Sequence, residues 1–297
     1  MNEPIFIALS TYAMATRFEL VLHGEDQCHL RAAGEEALEE ITGLDTQLSL
    51  YRPESELSWV NARAAREPVK VEPRLFRLLQ TATRLHAGTD GAFDVTIGPL
   101  MRAWGFAGGG GKAPDPEELE AARNVVGMEY VRLNEGDFTV RFERQGVTLD
   151  LGAIGKGYAI ECAVESLREN QVSSALLHGG TSTACAIGTP PGEAAWRVAI
   201  RNPAEQGRKM RTVDLCDSSL SVSAVHGRSF VKDGHKYGHV MDPRAGKPVG
   251  SAPLAAVTGG SSTECDALST ALLVLGESWL PTLAERFPGY RGLVMER

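Results

Sequence analysis

Residues 17–23, Arg-Phe-Glu-Leu-Val-Leu-His, alternate polar and apolar positions, the period-two pattern of a strand with one buried face. Between residues 31 and 48 the period lengthens: Ala37, Leu38, Ile41, Leu44 and Leu48 recur at helical spacing. Leu75, Leu78, Leu79, Ala82 and Leu85 predict a second amphipathic helix, ended near Gly88. The stretch 105–112 contains four consecutive glycines, Pro114 and Pro116 follow, and another helix opens at Glu117. Further strands are expected at 138–142, 147–151, 174–178, 196–200, 211–215, 220–225 and 254–258, with helices at 153–169 and 263–275. Asp233-Gly234 is a hairpin signal. Strands and helices mix without strict βαβ regularity and without an internal repeat, so the expected class is a mixed α+β fold.

Composition narrows the picture. With 297 residues, 43% of them hydrophobic, the chain can bury a large core. The 30 basic and 38 acidic residues give a net charge of -8, and the basic ones are scattered, which excludes the electrostatic footprint of a nucleic-acid binder. A phosphate ligand would need local neutralisation. The five cysteines are widely spaced, with no C-x-x-C pair, and read as reduced thiols. Near the start, Glu3 stands where a signal peptide carries basic residues, and no apolar run approaches the roughly 20 residues that span a bilayer. As the sequence stands we expect a cytoplasmic protein, or a periplasmic one if a leader has been removed.

Candidate chemistry gathers at glycine-bearing junctions. Asp150-Leu151-Gly152-Ala153-Ile154-Gly155-Lys156-Gly157-Tyr158 joins a predicted strand to a helix whose apolar side is Tyr158, Cys162, Ala163 and Leu167. Glycines there let backbone N–H groups approach an anion, and Lys156 adds charge; the segment reads either as a phosphate site or as a structural tight turn. It has neither G-x-G-x-x-G nor the hydroxyl residue that follows Gly-Lys in a P-loop. In Leu177-His178-Gly179-Gly180-Thr181-Ser182-Thr183, Gly179 and Gly180 either admit a ligand close to the backbone or make an ordinary turn. His239 and Asp242 flank a turn with Pro243 and Gly246. His239 has the chemistry for proton transfer near neutral pH, and Asp242 either shares that catalytic task or caps the turn. On the helix after Thr263, Leu268, Ala271, Leu272 and Leu275 face the core, while Asp266 and Thr270 share another face. Those two offer oxygens to a hard cation; alternatively the Asp answers the helix dipole and the Thr bonds back to its own chain.

In order and detail these segments closely resemble the FAD:protein FMN transferases, the ApbE family. Met14-Ala15-Thr16 looks like the early Met-Gly-Thr of that family, and Leu48-Ser49-Leu50-Tyr51-Arg52-Pro53-Glu54-Ser55-Glu56-Leu57, closed by Asn61, resembles its tyrosine segment. Gly91-Ala92-Phe93-Asp94-Val95-Thr96-Ile97-Gly98-Pro99-Leu100 with Trp104-Gly105-Phe106 is similar to its most distinctive segment. The resemblance runs over nearly the whole chain, on both sides of the glycine loop. It therefore implies one domain over residues 1–297, with a flavin-binding cleft.

The activity it implies is Mg²⁺-dependent transfer of FMN from FAD, through a phosphoester bond, to a Ser or Thr hydroxyl of an acceptor flavoprotein, with release of AMP. On that resemblance Met14, Tyr51, Ala92, Phe93, Asp94, Asp150, Lys156 and Met241 would contact FAD. The carbonyl of Ala153, with Asp266 and Thr270, would hold Mg²⁺, with Ser269 nearby, and His239 would assist proton transfer. Four departures stand out: Val222-Ser223-Ala224 in place of Thr-Ser-Gly, Thr181 after the paired glycines, Cys265 for a common Ala and Glu161 for a common Asp. They leave the cation and flavin positions intact and touch acceptor positioning. Two rival readings use the same cleft: an FAD pyrophosphatase that passes FMN to water, and a protein that binds FAD without chemistry.

Overall fold

Phe18, Leu20 and Leu22, the apolar half of the alternating segment at 17–23, are completely shielded from solvent on one face of a strand. Burial of each contributes about 1.5–3 kcal/mol. The structure is a computed structural model that describes residues 5–201, 209–225, 229–232, 235–250 and 254–295. Among these residues the main sheet has seven strands: β1 (Ile5–Ala13), β2 (Thr16–Gly24), β3 (Ala175–Gly179), β4 (Thr183–Ile187), β5 (Ser219–Ala224), β6 (Leu254–Gly259) and β7 (Arg291–Met295). They lie side by side in chain order, and every neighbouring pair is antiparallel.

The helices are α1 (Gln27–Leu48), α2 (Glu56–Arg63), α3 (Pro73–Gly88), α4 (Gly98–Ala103), α5 (Pro116–Arg123), α6 (Gly155–Glu169), α7 (Ser262–Leu275) and α8 (Leu280–Arg286). The stripe expected on the first of them, Ala37, Leu38, Ile41, Leu44 and Leu48, is buried, and Asp26 caps it by accepting from the Cys28 and His29 amides. With strands and helices interspersed, the fold is α+β, as expected.

Strands β3, β4 and β6 divide their side chains between two apolar layers. Leu177, Cys185, Ile187, Ala255 and Val257 join the large core that also takes in α1, α6 and α7. Their neighbours Ala184, Ala186, Leu254 and Ala256 face the other way, against Trp196, Ile200 and Leu215. Those three come from an antiparallel hairpin of Trp196–Arg201 with Lys209–Leu215, which covers the second face. The large core runs from Ile7 to Phe287, so it draws on both sides of the glycine loop. All five cysteines are free thiols. Among the described residues no helix is long and apolar enough to cross a membrane.

One predicted strand is corrected. Residues 147–151 contribute only an isolated bridge between Ile97 and Thr148. Val147, Leu149 and Leu151 are buried, as their pattern required, but a side chain replaces the ladder. The Leu149 N–H donates to Asn61 Oδ1 at 2.8 Å and Asn61 Nδ2 donates back to Leu149 O at 2.9 Å. Asp150 N–H donates to Val95 O at 2.7 Å. The segment is thereby held extended between α2 and the stretch before α4.

Candidate functional site

Helices α6 and α7 approach closely because Gly157 has no side chain. A Cβ there would lie 2.2 Å from the Ser262 carbonyl oxygen and 2.7 Å from Asp266 Cβ. Ser262 Oγ donates to Gly157 O at 2.8 Å, and Gly157 N–H donates to Asp266 Oδ2 at 3.0 Å. Helix α6 has no side-chain cap, so a carboxylate from α7 satisfies one amide of its first turn. Gly157→Ala is expected to force the helices apart and lower stability by about 1–3 kcal/mol. The check is the urea midpoint; a midpoint equal to the unaltered protein's would show the contact to be loose.

Asp266, only 3% exposed, borders a cleft of about 990 Å³. Lys156 Nζ stands 4.0 Å from Asp266 Oδ2 and donates to Gly152 O at 3.3 Å. Thr270 Oγ1 donates to the Asp266 carbonyl at 3.3 Å, the back-bonding open to a helical Thr, and it also borders the cleft and meets Ser223 Oγ at 3.1 Å. Ala153 lines the same wall. Among the described residues no group of three or more His, Cys, Asp or Glu is gathered as a metal cluster. One carboxylate with hydroxyls suits a hard cation that completes its shell with substrate phosphates and water, and does not suit zinc.

The departure at Glu161 leaves this corner intact. Its Oε2 accepts from Ser261 Oγ at 2.5 Å and from Thr263 N–H at 2.8 Å, tying α6 to the start of α7. Cys265 is fully buried, and burial pushes its thiol well above the usual range.

Met14 and Ala15 form the turn between β1 and β2, with φ of 49° and 56°, the left-handed pair that twists a two-residue hairpin correctly. Where the resemblance has glycine, Ala15 carries a strain of about 1–2 kcal/mol. Asp45 steadies the turn: its Oδ1 accepts the Met14 N–H at 2.9 Å and its Oδ2 accepts from Arg52 Nη2 at 3.1 Å. Met14, Tyr51, Ala92, Phe93, Asp94 and Asp150 all line the cleft. The Asp94 carboxylate is held by Thr96 N–H at 2.7 Å, Thr96 Oγ1 at 2.6 Å and His86 Nδ1 at 3.2 Å. Burial pushes the His86 imidazole down, but its hydrogen bond to Asp94 and that carboxylate's charge outweigh this and leave its pKa above the ordinary value.

Ser229–Lys232 and His235–Gly238 pair as the hairpin expected from Asp233-Gly234, although those two residues lie outside the described ones. Phe230 and Tyr237 stack at 5.2 Å, and Trp104 lies 5.5 Å from Tyr237. Trp104 Nε1 also donates to Gly246 O at 3.0 Å, and Val249 N–H donates to Val240 O at 2.8 Å. The hairpin and the turn after it are thus anchored on both sides of His239. His239 and Met241 line the cleft, as do Val222 and Ala224.

Two candidates stand apart. Asp242 is not on the cleft wall: its carboxylate accepts from Arg244 N, Nε and Nη2 at 3.0, 2.9 and 3.0 Å. Burial pushes that carboxyl up, but the Arg244 bonds pull it below its ordinary range. It serves the turn. Gly179 is also off the wall, in β3, where a Cβ would strike Phe18 at 2.7 Å, so packing accounts for it. Gly180 does line the cleft, with φ 58°.

Other residues on or behind the wall had carried no assigned role. The hairpin strand with Arg197 and Arg201 forms part of the wall. Behind Asp266, Ser221 and Ser223 project from β5 towards α7, with Ser221 Oγ 3.2 Å from Asp266 Oδ1 and Ser223 Oγ 2.8 Å from Ser269 Oγ. Serines at 219, 221 and 223, alternating with Leu220, Val222 and Ala224, were a legible period-two signal for a polar strand face.

Comparisons with known proteins bear on the family and the fold. The model of the ApbE family matches residues 14–294. The FAD:protein FMN transferase of Treponema pallidum is 33% identical over 276 residues, covering 86% of this chain and 76% of that protein. The Vibrio cholerae protein of the same name is 31% identical over 255 residues, 84% and 74% of the two chains. Among solved structures, the ApbE protein of Thermotoga maritima superposes with a TM-score of 0.89 at 27% identity, covering 98% of this chain and 94% of the other. The flavin transferase ApbE of Vibrio cholerae gives 0.83 at 25% identity, covering 99% and 98%.

Proposed function

The chain belongs to the ApbE family, and we propose on that footing that it transfers the FMN half of FAD to a Ser or Thr hydroxyl of an acceptor flavoprotein and releases AMP. The observation that carries this reading is that His239, Lys156, Asp266 and Thr270 border one cleft. Its volume of about 990 Å³ is at the upper end of the range for small-molecule sites and suits a dinucleotide.

Met14, Tyr51, Ala92, Phe93, Asp94, Asp150 and Met241 would contact FAD. The start of α6 and Lys156 suit its pyrophosphate, since helix N-termini and a lysine both favour anions. Asp266, Thr270 and the carbonyl of Ala153 would hold Mg²⁺, which supplies neutralisation of the charge that develops on the pyrophosphate. His239 accepts the proton of the acceptor hydroxyl, whose oxygen forms a bond to the FMN phosphorus. The bond from that phosphorus to the bridging oxygen breaks, and AMP leaves with the oxygen and its electron pair. Lys156 stabilises negative charge on the departing phosphate.

Product analysis tests the reading. Incubation with FAD, MgCl₂ and candidate acceptor proteins is expected to yield a fluorescent acceptor band that survives denaturing electrophoresis, with AMP in equal amount. Free FMN and AMP without a labelled protein would replace the transferase reading with a pyrophosphatase. FAD recovered unaltered with every acceptor would leave a binding protein.

A further inference from the structure

We propose that Ser221, backed by Thr183, is a positioning residue that sets the orientation of the Asp266 carboxylate. The inference rests on the reading of Asp266 as a cation ligand.

Ser221 and Thr183 are direct cross-strand partners on β5 and β4, and both are buried. Their hydroxyl oxygens are 2.8 Å apart. Ser221 Oγ also lies 3.2 Å from Asp266 Oδ1 and 3.3 Å from Ser182 O, two groups that only accept. Ser221 has one proton, and at nearly equal distances the charged acceptor wins it. Its oxygen must then accept from Thr183, so the bonds run in one direction, from Thr183 to Ser221 to Asp266.

The other carboxylate oxygen, Oδ2, is held by the Gly157 amide at 3.0 Å. Two donors from different elements, β5 and α6, therefore fix both oxygens, and the carboxylate cannot rotate without losing a buried hydrogen bond. Groups that orient a metal ligand in this way typically contribute 10- to 100-fold in metal affinity. Thr183→Val removes the relay's first hydroxyl at nearly constant shape, whereas Thr183→Ser keeps it.

Two measurements on the full chain test this: FAD affinity in EDTA, from flavin fluorescence, and Mn²⁺ affinity of the FAD-loaded protein, from calorimetry. Thr183→Val and Ser221→Ala are expected to weaken Mn²⁺ binding about tenfold. Thr183→Ser should bind Mn²⁺ like the unaltered protein, and FAD affinity in EDTA should stay the same throughout. Should Ser221→Ala fail to fold, the two Thr183 variants decide. Unchanged Mn²⁺ binding in Thr183→Val, or equal weakening in Thr183→Ser and Thr183→Val, would overturn the relay alone. An unaltered, FAD-loaded protein that binds no Mn²⁺ would overturn the cation reading, and the relay with it.

Discussion

Asp266→Asn is expected to reduce flavin transfer by at least about 10³-fold while FAD remains bound. The expectation follows from what the carboxylate alone supplies. Thr270, Ser221, Ser223 and Ser269 are neutral, so among the described residues of this hydrogen-bonded cluster Asp266 supplies the negative charge. Removing its charge removes the principal attraction for a divalent cation, whose stabilisation of a developing phosphate charge amounts to several kcal/mol, at about 1.4 kcal/mol per tenfold in rate.

Asn is a cleaner substitution than Ala. Its amide oxygen can still accept from the Gly157 N–H or from Ser221, whereas Ala leaves the Gly157 N–H buried without that acceptor, at about 1–3 kcal/mol, and Ser221 with only the Ser182 carbonyl to donate to. Asp266→Ala should thus show the same kinetic loss with a lower melting temperature. FAD affinity measured in EDTA should change little, because the proposed flavin contacts lie on other segments. Turnover near that of the unaltered protein in MgCl₂ would remove Asp266 from the reaction.

What the sequence made legible follows from how each element meets solvent. The strand at 17–23 and helix α1 each keep a solvated face, so their periods show in the residues. Thr183–Ile187 is buried at every position, between the helical layer and the covering hairpin, and Thr-Ala-Cys-Ala-Ile carries no alternation to read. Residues 147–151 mislead in the opposite sense: their burial pattern is a strand's, but Asn61 replaces the partner strand.

The site divides in the same way. Met14-Ala15 and Gly180 occupy positive-φ turns, and Gly157 sits at a helix crossing, so local backbone demands mark these segments before any fold is known. The pairing of Ser221 with Thr183 depends on a register between strands far apart in the chain, which no local pattern contains. The separation of Gly180 from Gly179, and of His239 from Asp242, likewise depends on which way each residue faces once the sheet and turn are formed.

His239→Ala is expected to slow flavin transfer by about 10²- to 10⁴-fold, the usual contribution of a positioned general base, with FAD affinity unchanged. The surroundings of His239 favour a base held in place. The Phe230–Tyr237–Trp104 aromatic group anchors the hairpin before it, and the Trp104 bond to Gly246 and the Asp242–Arg244 pair close the turn after it. Chain segments held on both sides limit where the imidazole can stand relative to the acceptor hydroxyl. Truncating the imidazole at a partly exposed position leaves these anchors in place, so the melting temperature should barely move.

The pH profile separates a proton acceptor from a residue that only shapes the cleft. An imidazole accepts a proton only in its neutral form, so the rate for the unaltered protein should fall as pH is lowered through the histidine range. His239→Ala should lose that limb and retain a slow, flatter rate. Besides His239, His178 lines the cleft and His86 touches the cleft residue Asp94; His86 carries a raised pKa, so any limb that it contributes through FAD binding would appear in KM and survive in His239→Ala. A variant that keeps both the rate and the acidic limb in kcat would exclude His239 as the proton acceptor.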